Sequence, residues 1–154
     1  MIKINVILSN INWKKYIKNP NSFIDKRVSL INKKNKQFKQ KTLICTLLLS
    51  GTKEIKSLNK KFRNKNKSTD VLSFPFYEKK KLKIKIKKSD EIYLGDIIIN
   101  LNMIRNKSNI AKFKEELNNL WVHGLVHLFG YKHKKDRDFN EMSRIEKRFI
   151  KYLN

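Results

Sequence analysis

The sequence predicts an α+β fold, a small mixed β-sheet of about four strands packed with about five helices. Three observations point there. Short β-rich runs alternate along the chain with amphipathic helical stretches. The 154 residues suit one compact domain, spanning 1–154, that is long enough to bury a sizeable core. No internal repeat suggests an array.

Taken in order, Ile2 to Leu8 alternates apolar residues with Lys3 and Asn5 and reads as the first strand. Asn19-Pro20-Asn21-Ser22 combines a turn with a helix-start signal. Phe23, Ile24, Val28, Leu30 and Ile31 then mark the inward face of a helix. The polar run Asn32 to Gln40 links it to a second strand, Lys41 to Leu49, which is β-rich and almost continuously apolar. Thr52 reads as an N-cap with Glu54 in the first turn. Ile55, Leu58 and Phe62 supply the buried face of a helix that ends near Arg63.

Asn64 to Asp70 is a polar loop, and Val71 to Phe76 is a strand that Pro75 places at an edge or at its own end. Lys79 to Lys88 sets lysines between Leu82, Ile84 and Ile86. That period of two predicts a hairpin arm or ragged edge strand, either solvated or in contact with RNA. Tyr93 to Asn100, interrupted by Gly95-Asp96, is a further strand, and a short helix starts near Leu101. Ser108 or Asn109 caps a long helix that Gly130 stops. A last helix spans about Asp138 to Leu153, with Met142, Ile145, Phe149 and Leu153 on one face.

The net charge of +24 predicts a polyanionic partner, with nucleic acid first among them. Of the 37 basic residues 31 are Lys, beside 18 Asn and the single Ala111. Lys, Asn and Ile have AT-rich codons, so nucleotide bias contributes to that charge, and it weighs less than the histidines below. The lone Cys45 rules out an intramolecular disulfide and reads as a small core residue. It lacks the neighbouring histidine that a nucleophile needs. A reduced, cytoplasmic setting fits. No apolar stretch approaches the ~20 residues of a membrane span, and Met1 to Leu8 lacks the shape of a signal peptide.

All three histidines fall in one segment, His123-Gly-Leu-Val-His127-Leu-Phe-Gly130-Tyr-Lys-His133. His123 and His127 are four apart and share a helix face. Gly130 lets the chain turn and bring His133 back. Leu117 to Tyr131 holds no charged side chain, so the helix is buried and its imidazoles are neutral and partnered. Three neutral imidazoles with a fourth position open describe a catalytic Zn2+ site, one ion per chain. Such an ion brings the pKa of a bound water to about 7 and so implies hydrolysis.

Zinc peptidases of similar spacing use H-E-x-x-H, with the glutamate as general base. Gly124 follows His123 here, and Glu115 and Glu116 lie about two turns earlier, poorly placed. Proteolysis is therefore disfavoured. Phosphodiester chemistry needs a cation shaped for phosphate, and Arg63 at a helix end beside a polar loop is a candidate. The bland alternative for Arg63 is an ordinary helix C-terminal cation.

The histidine segment is similar to the signature HGxLHLxGYDH of the YbeY family of bacterial endoribonucleases, the rRNA maturation factors. Phe62-Arg63, followed by Thr69-Asp70-Val71-Leu72-Ser73-Phe74-Pro75-Phe76, resembles that family's YRGKDxxTxVLSFPF segment. Leu94-Gly95-Asp96-Ile97-Ile98-Ile99 resembles its LGDIVI strand, and Glu116-Leu117 and Met142-x-x-Ile145-Glu146 also fit. The match runs from about Thr52 to Leu153. The amino-terminal third matches only in length and strand-helix-strand rhythm.

The resemblance implies the family's metal-dependent hydrolase-like fold, a Zn2+ held by His123, His127 and His133, and catalytic roles for Arg63 and His123. Arg63 and Ser73 would bind substrate, with Asp96 lining the site or orienting ligands, although Ser73 and Asp96 could equally be structural. The implied substrate is single-stranded RNA, chiefly the 3′ end of 16S rRNA, in ribosome assembly and quality control. The implied partners are the small ribosomal subunit, its proteins and an assembly GTPase, with no membrane. Three positions depart from the pattern: Lys132 replaces the aspartate before the last histidine, Val126 replaces a leucine, and Asn64 replaces a glycine after the arginine. No general base is evident. The rival reading is a non-catalytic RNA-binding assembly protein whose zinc is structural.

Overall fold

The computed structural model describes residues 1–38, 40–132 and 136–154. Among these, nine regular elements follow one another: β1 (Ile2–Leu8), α1 (Pro20–Lys34), β2 (Thr42–Ser50), α2 (Thr52–Arg63), β3 (Val71–Pro75), α3 (Lys79–Lys88), β4 (Glu91–Asn100), α4 (Ile110–Leu128) and α5 (Asp136–Leu153). Short 3-10 turns occupy Ile11–Lys15, Lys36–Phe38 and Leu101–Met103.

The four strands form one mixed sheet in the order β1-β2-β4-β3. β1, β2 and β4 run parallel, and β3 pairs antiparallel with β4 as an edge strand. Pro75 ends β3, where a missing N–H costs no ladder bond. The β2–β4 register shifts between Ile44 and Cys45, which stand opposite Tyr93 and Gly95 and leave Leu94 as the extra residue.

Strand alternation separates two apolar clusters. Leu43, Cys45, Leu47 and Leu49 of β2 with Ile97 and Ile99 of β4 face α1, α3, α4 and α5. Ile98 of β4 and Leu72 of β3 face the other way, onto Ile55 of α2. Trp121, Leu125 and Leu128 of α4 are fully buried in the larger cluster. Each such side chain contributes about 1.5–3 kcal/mol, which fixes α4 against β3 and β4.

Five sequence expectations are corrected. Lys79–Lys88 is a helix, with Leu82 buried and Ile84 53% exposed. Gly51, rather than Thr52, is the N-cap of α2. Phe62, in the last turn of α2, is 59% exposed and packs edge-on against Phe74. Leu30 lies on the outer side of α1. The β4 strand runs unbroken through Gly95-Asp96 and begins at Glu91. Asn109, one of the two candidates, caps α4 by accepting from the Lys112 N–H at 3.0 Å.

Candidate metal centre

Gly124 determines how closely α4 approaches the sheet. A Cβ there would stand 2.6 Å from Cγ2 of Ile97 and 3.2 Å from the Ser73 hydroxyl. Only a bare α-carbon lets the helix lie this near β4 and β3. The same contact explains the missing peptidase glutamate: position 124 points at the sheet, where no carboxylate side chain fits.

The residues flanking Gly124 on the helix turn outward, His123 and His127 one turn apart. Both are half-buried rather than enclosed, and face a cleft of about 500 Å³ beside the edge strand. Nδ1 of His127 bonds the carbonyl oxygen of Tyr131 at 2.8 Å. A carbonyl only accepts, so this nitrogen carries the hydrogen. Nδ1 of His123 stands 2.6 Å from Oε1 of Glu146 on α5, and donates to that carboxylate. Each Nε2 is then the unprotonated nitrogen of its ring, and the two lie 3.1 Å apart. Two nitrogens each 2.0–2.1 Å from one tetrahedral ion stand about 3.4 Å apart. The pair therefore fits two ligands of a single ion, each held by a hydrogen bond from behind.

The third expected ligand, His133, lies outside the described residues. Among the described residues no group of three His, Cys, Asp or Glu stands at ligating distance. Gly130 has the positive φ of 84° expected of the turn after α4. Its Cα also sits hard against the first residue of α3: an added Cβ would stand 2.7 Å from the Lys79 Cβ.

Arg63 and Ser73 line the same cleft as His123 and His127, with Thr69, Asp70, Tyr131 and Lys132. Arg63 reaches it from the far side of the sheet. It ends α2, and the 64–70 loop carries the chain round the β3 edge. Asn64 takes the left-handed conformation, φ 55°, that closes the helix, with its N–H donating to the Lys60 carbonyl at 3.1 Å. That is the conformation expected at this departure from glycine. Lys132, another of the three departures, adds a cation to the cleft wall.

Asp96 does not line the cleft. It pairs across the ladder with Phe74, on the α2 face, whereas Ser73 pairs with Ile97 on the α4 face. Its Oδ1 accepts from the Tyr93 hydroxyl at 2.6 Å. Burial, reinforced by that bond, raises the Tyr93 pKa. Glu116 is structural as well, accepting from the backbone N–H of Arg105 at 3.1 Å and of Asn106 at 3.3 Å.

Two residues at the site carry no local sequence signal for it. Glu146 belongs to a segment that resembles the family pattern, but its partner lies 23 residues away on another helix. Asp70, at the end of the polar loop, is the one carboxylate among the described residues lining this cleft. Its Oδ1 accepts from the Val71 N–H at 2.8 Å and the Thr69 hydroxyl at 3.0 Å, which fixes it at the start of β3. A carboxylate at the mouth of a cationic cleft is a signal that residue type alone does not carry.

Comparison with known proteins assigns the chain to a family. A relative from Pelagibacter ubique, named Endoribonuclease YbeY, is 43% identical over 99% of this chain and 97% of its own length. One of the same name from Ehrlichia canis is 32% identical over 99% and 93%. A solution structure of a Thermotoga maritima protein superposes with a TM-score of 0.59 at 25% identity, over 98% of this chain and 89% of that one. The similarity thus includes the amino-terminal third, where motifs are absent. The model of the family described as Endoribonuclease YbeY matches residues 8–154, and the chain belongs to that family.

Proposed function

We propose that this chain is a metal-dependent endoribonuclease acting on single-stranded RNA in ribosomal RNA processing, with residues 1–154 as one catalytic domain. The observation that carries the reading is the His123–His127 pair: two Nε2 atoms 3.1 Å apart, with both Nδ1 atoms hydrogen-bonded. Family membership supplies the reaction class.

His123, His127 and His133 would hold one Zn2+, which supplies positive charge and a water acidic enough to ionise near pH 7. Glu146 and the Tyr131 carbonyl keep the two described rings in the ligating tautomer. Arg63 pairs with the scissile phosphate and stabilises charge that develops on its oxygens. Asp70 holds a carboxylate oxygen at the cleft mouth to accept a proton from the attacking hydroxyl. Ser73 donates to a phosphate oxygen. Lys132 and lysines around the cleft track the backbone without reading bases. The net charge of +24 suits a polyanion such as ribosomal RNA, and the family resemblance suggests the small ribosomal subunit and its assembly factors as the setting.

The test is cleavage of single-stranded RNA before and after chelation, with folding followed by circular dichroism. Loss of cutting with the fold retained, and recovery on adding Zn2+, is the expected result. If chelation melts the domain, a structural metal replaces the enzymatic reading; if His127→Ala cuts at the normal rate, the metal mechanism at the histidine pair falls.

A further inference from the structure

A second hollow, of about 340 Å³, lies on the other side of Tyr131 from the metal pair. Its size is at the small end of ligand sites, about 300–1,000 Å³. Phe38, Phe129, Phe149, Leu82 and Ile86 form its floor. Phe38 and Phe129 stack face to face, centroids 5.6 Å apart and planes 8° from parallel. The rim is cationic: Lys79, Lys83 and Lys87 from α3 and Arg148 from α5. The three lysines are four apart, so they rise along one edge of α3 in steps of about 6 Å. No carboxylate is among the described lining residues. Lys79 bonds Glu141 at 3.1 Å, outside the hollow, while Lys83, Lys87 and Arg148 make no ion pair among the described residues.

The partner that fits must carry flat apolar surface and negative charge on separate parts. A nucleotide does so. Tyr131 makes the hollow continuous with the cleft: its ring lies under the Lys79 ammonium at 4.0 Å, and it lines both spaces. We propose that this hollow is a nucleotide subsite of the RNA-cleaving cleft. The strand passing the histidine pair crosses Tyr131, a base seats on the Phe38–Phe129 floor, and its phosphates run along Lys83, Lys87 and Arg148. The proposal rests on the RNA-cleaving reading of the cleft and adds where the rest of the strand goes. It also gives α3 a task. An acidic amphipathic helix would match the charge, but nothing would tie it to Tyr131 and the cleft.

The experiment compares kcat/KM of the full chain on single-stranded RNAs of about 4 and about 16 nucleotides, the range of single-strand site sizes. The double variant Lys83→Ala/Lys87→Ala alters only exposed side chains, so the fold is kept. Its long-to-short ratio is expected to fall about tenfold, and the salt dependence on the long RNA to weaken by about 1.4 in log-log slope, for two phosphates. Lys3→Ala/Lys53→Ala, on the far side of the sheet, is expected to leave the ratio in place. In parallel, 4-thiouridine in the long RNA should crosslink to Phe38, Phe129 or Tyr131. If the chain cuts RNA but the ratio holds and crosslinks fall elsewhere, the subsite is wrong while the cleft reading stands. If the chain does not cut RNA, that reading fails, and crosslinking alone decides whether the hollow takes a base. Binding of an acidic helical peptide to the hollow, with the RNA ratio unmoved, would assign it to protein instead.

Discussion

Nδ1 of His123 and Oε1 of Glu146 lie 2.6 Å apart, joining α4 to α5 directly behind the nitrogen aimed at the metal position. The carboxylate fixes the tautomer and raises the basicity of the far nitrogen. Glu146→Ala is expected to weaken zinc binding about 10–100-fold. Glu146→Gln, which keeps an acceptor without the charge, should lose less. Competition against a chromophoric chelator measures both, and equal affinities in all three proteins would remove Glu146 from the site.

Gly124→Ala should destabilise the fold by about 1–3 kcal/mol, the usual cost of overpacking. The new methyl would meet Ile97 at 2.6 Å. Urea unfolding gives the difference. The double variant Gly124→Ala/Ile97→Val removes part of the obstruction and is expected to recover part of the loss. Independent, additive effects would show that the close approach is not the cause.

Arg63→Ala is expected to lower kcat/KM on single-stranded RNA by about 10²-fold, within the range for loss of one charge-stabilising donor. Arg63→Lys should fall between the two, because an ammonium keeps the charge and loses the bidentate fork. Arg63 is exposed, so the melting temperature should hardly move. A variant that cuts normally would return Arg63 to the role of a helix-end cation.

Burial pushes the Cys45 thiol up to about 12, with the nearby Asp96 adding to the shift. Its folded value lies above its ordinary one near 9. The neutral thiol therefore contributes its full stability below pH 9, and loses it as the pH rises from 9 towards 12. Tyr93, also raised, acts in the same direction above pH 10. Stability should fall along this alkaline limb, and Cys45→Ala should make the fall shallower. Urea midpoints across the range report it. The native thiol should resist Ellman's reagent at pH 8.

The His123–His127 spacing, the Gly130 stop, the Arg63 helix end and the edge placement of β3 were legible because each is local. A turn, a cap or one helix face decides them within a few residues. Helix α3 was misread because Leu82, Ile84 and Ile86 satisfy two periods at once. As a strand all three would share a face. As a helix, Leu82 and Ile86 share one, and Ile84 is left to solvent. The hollow beside Phe129, formed by distant segments, selects the second, and lysine's helix propensity agrees. Glu146 and Asp70 were invisible as site residues for a related reason. Glu146 meets His123, and Asp70 joins the histidines' cleft, only after α4, α5 and β3 have packed.

The contact between Gly130 and Lys79 makes one rigid joint of the turn after the histidine helix and the root of the basic helix. Tyr131, next in the chain, bears the carbonyl that aims His127. On the proposed path of the RNA, a strand pulling on the lysines would tug on the imidazole, and an ion held by the histidines would stiffen the grip on the strand. By thermodynamic reciprocity, whatever RNA does to zinc affinity, zinc does equally to RNA affinity.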